Sequence, residues 1–382
     1  MESTVPNEIR FSKPARYFDE DHQNLTLEYL LKTLKKGMVV QLNLDLNALI
    51  QMEQLTRDST VEDLSKLGLG PLYDLLQTGL VVMTAAGVNE AKETHISKKH
   101  AAYELFCELF WKSHKTDKKA TYRTPQSDSP LDQRNFWGLT DAERYFYGHF
   151  YVAMLLIQDI KKNHALTPIK QFESYLSGMI SMVDRLHAFE IEIAKFAFWS
   201  PTSREIESFS PKLKQIYKDM KNNFYRKKGG KKSFAAHCMN AAMDISWLGS
   251  AAMSEEMGAD IEIDGVTFKV EQWLATTDQK LHRLSKEYHH IREKDSNTKH
   301  FANYRDDEMD SYAYWREVDE LSSRISRQRS IRIAKEIESE QKLYNEDPNE
   351  YRLYWRNKEN LSLKKVEAAA RNLEISLDGK LS

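Results

Sequence analysis

Cysteine is scarce in this 382-residue chain, with only Cys107 and Cys238, far apart in sequence. Two such residues make neither a disulfide framework nor a C-x-x-C zinc pair. The sequence contains no run of about 18 apolar residues and therefore predicts no membrane span. Its polar start, Met1-Glu2-Ser3, is unlike a secretory signal. These absences predict a protein of a reducing cytoplasm that makes no membrane contact.

Glycine and proline are also scarce, at 14 and 9 residues, about half of ordinary usage. Few helix breakers predict a mostly helical chain. The 55 Lys and Arg residues nearly balance the 57 Asp and Glu residues, for a net charge of −2. This balance excludes a histone-like or ribosomal-type basic protein, so any contact with nucleic acid needs a local basic surface.

Short β-prone segments stand out from the helical background. Residues 38–45 alternate in their second half, and residues 79–84 form a second buried strand candidate. Asp264-Gly265 separates two further β-prone runs and is a strong two-residue hairpin signal. Residues 273–278 are typical of one more strand before a helix. Strands that alternate with helices predict an α/β domain with a short parallel sheet.

The helical block between these strands divides the chain in the predicted organisation. The segments are an N-terminal arm and helix at 1–36, a discontinuous α/β domain at 37–94 plus 233–292, a helical insertion at 95–232 and a helical C-terminal region at 293–382. The insertion would select substrate or carry regulation.

Four acids stand at the ends of the predicted elements: Asp45, Glu90, Asp244 and Asp278. The carboxyl ends of parallel strands are where open α/β sheets bind ligands. Asp244 lies among small and apolar residues, where a lone carboxylate needs a partner, and Asn240 one turn earlier could support it. Clustered carboxylates suit Mg²⁺ or Mn²⁺ and not zinc, and such ions activate water for attack at phosphorus. Asp45 and Asp278 could instead cap helices, Glu90 could be a solvated acid in the first turn of a helix, and Asp244 could pair with a basic residue of the helical insertion.

Further residues complete the predicted site. Asn47 and Thr277 could orient the acids or the water. A basic tract precedes the helix of Asp244 and could contact nucleic acid, although a solvated loop explains it equally well. Its residues are Arg226, Lys227, Lys228, Lys231 and Lys232.

The ordered set of acids resembles the PIN-like nucleases. Leu44-Asp45-Leu46-Asn47 is similar to the opening strand of that family, residues 79–90 to its second strand and acidic helix start, Asp244 to its third acid, and Thr276-Thr277-Asp278 to its closing strand end. The resemblance implies a three-layer α/β/α sandwich. It also implies metal-dependent endonuclease activity, on RNA in preference to DNA, with the four acids as metal ligands. By analogy alone, such a nuclease could serve as a toxin or a phage-defence effector.

Two other interpretations stay open. Arg144 and His149 resemble the Arg-x4-His motif of HEPN ribonucleases, which are metal-independent and use the histidine as acid or base. Alternatively, the α/β core is degenerate and the helices bind a partner. The apolar stripe of Val318, Leu321 and Ile325 favours a protein partner or self-association through the C-terminal helices.

Overall fold

The structure is a computed structural model of the full chain. It describes residues 8–13, 15–17, 24–91, 95–111, 135–224, 234–256, 258, 260–287, 290–292, 302–303 and 307–378. Through residue 111 the elements are β1 (Arg10–Ser12), β2 (Ala15–Tyr17), α1 (Leu27–Lys35), β3 (Met38–Leu44), α2 (Leu46–Met52), α3 (Val61–Lys66), α4 (Gly70–Gln77), β4 (Val81–Thr84), a 3-10 helix (Ala86–Glu90) and α5 (Ile96–Phe110).

The second half of the described chain is mainly helical. Its elements are a 3-10 helix (Phe136–Gly138), α6 (Asp141–Lys161), α7 (Pro168–Met182), α8 (Ala188–Phe198), α9 (Ser203–Ser208), α10 (Pro211–Phe224), α11 (Phe234–Glu256), β5 (Asp260–Ile263), β6 (Val266–Thr276), α12 (Gln279–Glu287), β7 (His290–Arg292), β8 (Ala302–Asn303), a 3-10 helix (Asp307–Ser311), α13 (Ala313–Glu346) and α14 (Pro348–Asp378). None of the described helices is long and apolar enough to cross a membrane.

The chain divides into two compact units. The first comprises residues 1–134 and 247–304, and the second comprises residues 135–246 and 305–382. The division therefore falls inside α11, and most of the predicted insertion shares a unit with the C-terminal helices. The alternation of strands and helices predicts a discontinuous α/β domain, and the first unit consists of two distant stretches of chain.

The main sheet of the first unit is mixed. Its central strands β4, β3 and β6 run parallel, as the alternation of strands and helices predicts. On the other edge of β6, β1 and β5 pair antiparallel, so the predicted short parallel sheet is the central part of a mixed sheet. A two-residue turn joins β5 to β6, and such a turn can only connect antiparallel strands.

Alternation along the strands separates an apolar face from a polar one. Leu42 and Leu44 of β3, Met83 of β4 and Trp273 of β6 point into an apolar core that also takes in residues of α1 through α5. The alternate residues of the same strands lie on the opposite face of the sheet and include several polar side chains. The core therefore fixes the register of the parallel strands, because a one-residue slip would exchange the two faces.

The predicted hairpin at Asp264-Gly265 is confirmed. Asp264 has φ 51° and Gly265 has φ 79°, the positive values that a tight two-residue hairpin turn requires. The segment 273–278 is not a separate strand, because β6 runs without interruption from Val266 to Thr276. Its first residues pair with β5 and its later ones with β3 and β1.

Part of the N-terminal arm adds strand β1 to the sheet, opposite Leu274–Thr276. Helix α3 begins with a capping box, in which Thr60 is the N-cap and Asp63 accepts a hydrogen bond from the Thr60 backbone N–H at 2.9 Å.

The second unit is an assembly of helices. Its α6 begins with a capping box of Thr140 and Glu143, and its middle turns are buried on all sides. At Gly148, a Cβ atom would lie 2.2 Å from Val366 Cγ1 of α14, so a residue without a side chain lets these two helices approach. The stripe on α13 that suggested a partner is itself buried at Val318 and Leu321. Self-association through the C-terminal helices stays a prediction.

Candidate acidic site

Asp45 follows β3 directly and occupies the N-cap of α2. Its Oδ1 accepts a hydrogen bond from the Ala48 backbone N–H at 2.7 Å, and its own backbone N–H donates to the Ala275 carbonyl of β6 at 3.0 Å. The carboxyl side chain is only 4% exposed. The strand-to-helix junction thus holds a buried carboxylate at the carboxyl end of the central strand.

Thr276, the last residue of β6, connects the two predicted acids of the neighbouring strands. Its hydroxyl donates to Asp45 Oδ2 at 2.5 Å and accepts from the Asp278 backbone N–H at 2.9 Å. Asp278 in turn caps α12, because its Oδ1 accepts from the backbone N–H groups of Lys280 and Leu281. The structure therefore brings together Asp45 and Asp278, which are more than two hundred positions apart in sequence.

The environment of Asp45 opposes its ionisation. Burial raises the pKa of Asp45 to about 6, and the negative charge of Asp278 raises this pKa further. Hydrogen bonds from Thr276, Ala48 and Asn47 lower the same pKa and only partly offset burial. Among the described residues, no basic side chain forms an ion pair with either acid. A buried carboxylate without a counter-charge is costly, and a bound cation is one way to remove that cost.

The predicted supporting residues lie near Asp45 with different contacts. Asn47 is exposed, and its amide nitrogen lies 3.5 Å from Asp45 Oδ2, at the limit of a hydrogen bond. Thr277 is buried, and the hydroxyl that bridges the two acids belongs to its neighbour Thr276. Alternation along β6 carries the signal that sequence reasoning missed: Thr276 shares a face with Gln272, whereas Thr277 follows the strand.

Glu90 belongs to the same end of the sheet by its place in the chain. It ends the 3-10 helix that follows β4, and β4 is the parallel neighbour of β3. Its side chain lies outside the described structure. The 3-10 helix approaches Asp45 closely, because a Cβ atom on Gly87 would lie 2.3 Å from the Asp45 carbonyl carbon and from Leu46 N. Glycine at position 87 is therefore what permits this approach.

Asp244 and Asn240 lie on α11 in the part assigned to the second unit. Asp244 is partly buried, and Asn240 is exposed. Asp45, Glu90 and Asp278 belong to the first unit. That Asp244 joins the other acids stays a prediction.

A row of polar side chains leads along the sheet toward Asp45. Asn43 Nδ2 donates to Gln272 Oε1 at 2.6 Å, Gln41 Nε2 donates to the same oxygen at 3.2 Å, and the Thr84 hydroxyl donates to Asn43 Oδ1 at 3.0 Å. Gln272 and Thr84 are buried. The alternation of Gln41, Asn43 and Asp45 in the sequence is the signal for this row, whose partners on β4 and β6 only the fold reveals.

The donor set fits a hard divalent cation. Asp45 and Asp278 offer carboxylate oxygens, and Mg²⁺ in proteins is commonly held by one or two carboxylates together with water and substrate phosphate. Within the part of the chain that the structure describes, no group of three or more His, Cys, Asp or Glu side chains could hold a metal ion. A larger protein ligand set would need a further side chain, and the sequence predicts Glu90, at the end of the strand next to β3, as one such ligand.

The predicted basic tract of residues 226, 227, 228, 231 and 232 lies outside the described residues. Its contact with nucleic acid therefore stays a prediction.

Arg144 and His149 of the second motif have structural surroundings. The Arg144 guanidinium donates to the Leu139 carbonyl at 2.6 Å and pairs with Asp141 and Glu367. His149 is 4% exposed and stacks on His187 with ring centroids 4.4 Å apart. Burial, with the charges of His187 and Arg185, holds the pKa of His149 well below its usual range. A buried neutral imidazole gives an RNA 2′-hydroxyl no access in this conformation.

Comparison of the chain with protein-family models, with curated proteins and with solved structures found no match. The resemblance to PIN-like nucleases consequently stays a prediction, and the acidic site must be judged on its own geometry.

Proposed function

We propose that the protein is a Mg²⁺- or Mn²⁺-dependent endonuclease that hydrolyses phosphodiesters at the end of the sheet where Asp45 and Asp278 meet. RNA is the proposed substrate in preference to DNA, on the resemblance of the acids to those of PIN-like nucleases. One observation carries the proposal: a buried carboxylate with a raised pKa lies beside a second carboxylate without a basic partner among the described residues.

This arrangement suits cation binding better than a purely structural role. A helix N-cap needs only one short polar side chain, and solvent-exposed caps perform it without burial. Here the cap is buried and is tied to a second acid through Thr276. The negative charge of Asp278 adds to the burial that raises the pKa of Asp45, so placing an ionised Asp45 here costs stability that a bound cation would restore.

The chain's own residues have defined roles in the proposed reaction. Asp45 and Asp278 would hold the divalent ion, Thr276 would fix the Asp45 carboxylate, and Glu90 would add a carboxylate from the end of β4. When bound, such an ion supplies positive charge to the phosphate oxygens and favours deprotonation of water. Low exposure of Asp45 strengthens its attraction for a cation, since charges interact more strongly away from bulk water.

The test is cleavage of labelled RNA and DNA by the full chain with Mg²⁺, with Mn²⁺ and with excess chelator. We expect Asp45→Asn and Asp278→Asn each to lower the cleavage rate at least about 100-fold, the loss typical of removing an electrostatic catalytic group. Asp74→Asn is the matched control, because Asp74 is an exposed acid of the same unit. It should cleave like the parent chain.

Retained cleavage by both folded variants would overturn the proposal. Activity that survives the chelator and disappears in His149→Ala would point to the metal-independent interpretation. A folded parent chain that cleaves neither RNA nor DNA with either metal would favour the non-catalytic one.

A further inference from the structure

Arg10 lies next to the acidic site on the edge strand β1. It pairs with Thr276 in the antiparallel register of β1 and β6. Residues directly opposite in such a pair project to the same face, with Cβ atoms about 5 Å apart. Thr276 is the residue whose hydroxyl contacts both Asp45 and the Asp278 backbone. The sheet therefore places Arg10 on the strand next to the Thr276 bridge between the two acids.

The Arg10 charge has no acidic partner in the described structure. No described carboxylate lies within ion-pairing distance of its guanidinium, and its Nε is buried without a hydrogen-bond partner. The residue as a whole is partly exposed. A buried donor left without an acceptor is destabilising, and none of the described residues offsets the charge of this guanidinium. Guanidinium groups match phosphate oxygens in geometry as well as in charge.

Helix α12 adds positive charge beside Arg10. This helix packs against β1, and the contact includes a 2.7 Å hydrogen bond between the Ser12 hydroxyl and His282 Nδ1. Burial lowers the pKa of His282 to about 3, and the positive charges of Lys286, Arg10 and Arg283 lower this pKa further. His282 is therefore a neutral side chain among positive charges. Helix α12, which carries Arg283 and Lys286, begins at Gln279, directly after Asp278.

We infer that Arg10 and the cationic side chains of α12 bind the phosphodiester backbone of a nucleic-acid strand and hold it beside Asp45 and Asp278. The inference rests on the proposed function for the chemical class of the ligand, a nucleic acid, and it adds the surface on which that nucleic acid binds. A near-neutral chain must concentrate its positive charge locally to bind a polyanion. Contacts with phosphate position a strand without reading its sequence, so the surface should accept strands of any sequence.

The test is fluorescence anisotropy with a labelled single-stranded RNA and the DNA of the same sequence, in chelator, on the Asp45→Asn background so that no cleavage occurs. We expect Arg10→Gln to weaken binding about tenfold. It should also reduce the slope of log K against log salt by about 0.7, the value for one phosphate contact on a single strand. Arg10→Lys keeps the charge and should retain the salt slope.

Arg57→Gln is the matched control. Arg57 belongs to the same unit, and its guanidinium already pairs with Glu108 at 3.2 Å, so its loss should leave the affinity and the salt slope unchanged. Circular dichroism and thermal melting establish that each variant is folded. The RNA and DNA arms identify the preferred strand, and preference for either supports the inference.

Two results would overturn it. One is an Arg10→Gln protein that binds with the affinity and salt slope of the background chain, and the other is a background chain that binds neither strand. Failure of this inference can be distinguished from failure of the nuclease proposal. Arg10-dependent binding without any cleavage by the parent chain leaves the binding surface standing and refutes the nuclease, whereas normal cleavage with binding insensitive to Arg10 refutes the surface alone.

Discussion

Asp45 combines two properties that oppose each other energetically. As the N-cap of α2 it accepts a hydrogen bond from Ala48 N and stabilises the helix start. As a buried ionised group beside Asp278 it is destabilising, which is why its pKa rises to about 6. An asparagine at position 45 would keep the cap, since Asn caps helices as well as Asp does, and would carry no charge.

The raised pKa of Asp45 sets a pH dependence of stability. Because this pKa is higher in the folded chain than in the unfolded chain, the contribution of Asp45 to the free energy of unfolding is largest below about pH 4 and is lost as the pH rises through about 6. The full difference is on the order of 3 kcal/mol, since the pKa rises from 3.8 to about 6 and one pKa unit corresponds to about 1.4 kcal/mol. Without divalent ions, Asp45→Asn should therefore melt higher than the parent chain at pH 7.5.

Thermal melting in chelator at pH 4.5 and pH 7.5 measures this effect. The difference in melting temperature between Asp45→Asn and the parent chain should be larger at pH 7.5 than at pH 4.5. Comparing the two proteins at each pH cancels the titration of all other groups. An equal difference at both values would mean that Asp45 ionises normally in the folded chain.

At the scale of elements, the 3-10 helix after β4 is positioned by its close contact with the Asp45 backbone. A Cβ atom on Gly87 would meet two main-chain atoms at 2.3 Å, and backbone atoms cannot move aside as the end of a side chain can. Gly87→Ala should lower the free energy of unfolding by about 1–3 kcal/mol, the usual cost of overpacking, and should reduce cleavage because the junction at Asp45 shifts.

Gly70→Ala is the control for that substitution. Gly70 is the first residue of α4, and the nearest atom to a Cβ there would be Ser65 Oγ at 3.3 Å, with the Ser65 backbone at the ordinary contact distance of 3.7 Å. Urea unfolding of the two variants should show a clear loss for Gly87→Ala and little change for Gly70→Ala. Equal stability of both would show that the 3-10 helix is not held against Asp45 in solution.

The elements also show how far sequence reasoning reaches. Local signals predicted strands β3 and β4, the β5–β6 hairpin and the acids at the strand ends, because alternation, turn residues and helix caps are readable within a few positions. The antiparallel β1, the continuity of β6 and the Thr276 bridge depend on pairing between distant segments. Alternation along β6 indicates which face Thr276 occupies, but the sequence does not show that Asp45 lies opposite it, and the prediction of Thr277 as the supporting residue is therefore wrong by one position.

At the scale of the whole molecule, the central claim concerns two acids that are separated by most of the chain. Asp45 comes early in the first stretch of its unit, and Asp278 comes in the second stretch, after the residues of the other unit. The parallel pairing of β3 with β6 brings them to one edge of the sheet. A function that needs both acids therefore requires the first unit to be assembled from both stretches.

Direct titration with Mn²⁺, followed by the electron paramagnetic resonance signal of the free ion at pH 7.5, tests this claim without reference to catalysis. The account predicts saturable binding by the parent chain and by Asp74→Asn, and an affinity at least about tenfold weaker in both Asp45→Asn and Asp278→Asn, since each removes one carboxylate ligand. Equal affinity in all four folded proteins, or no saturable binding by the parent chain, would contradict it.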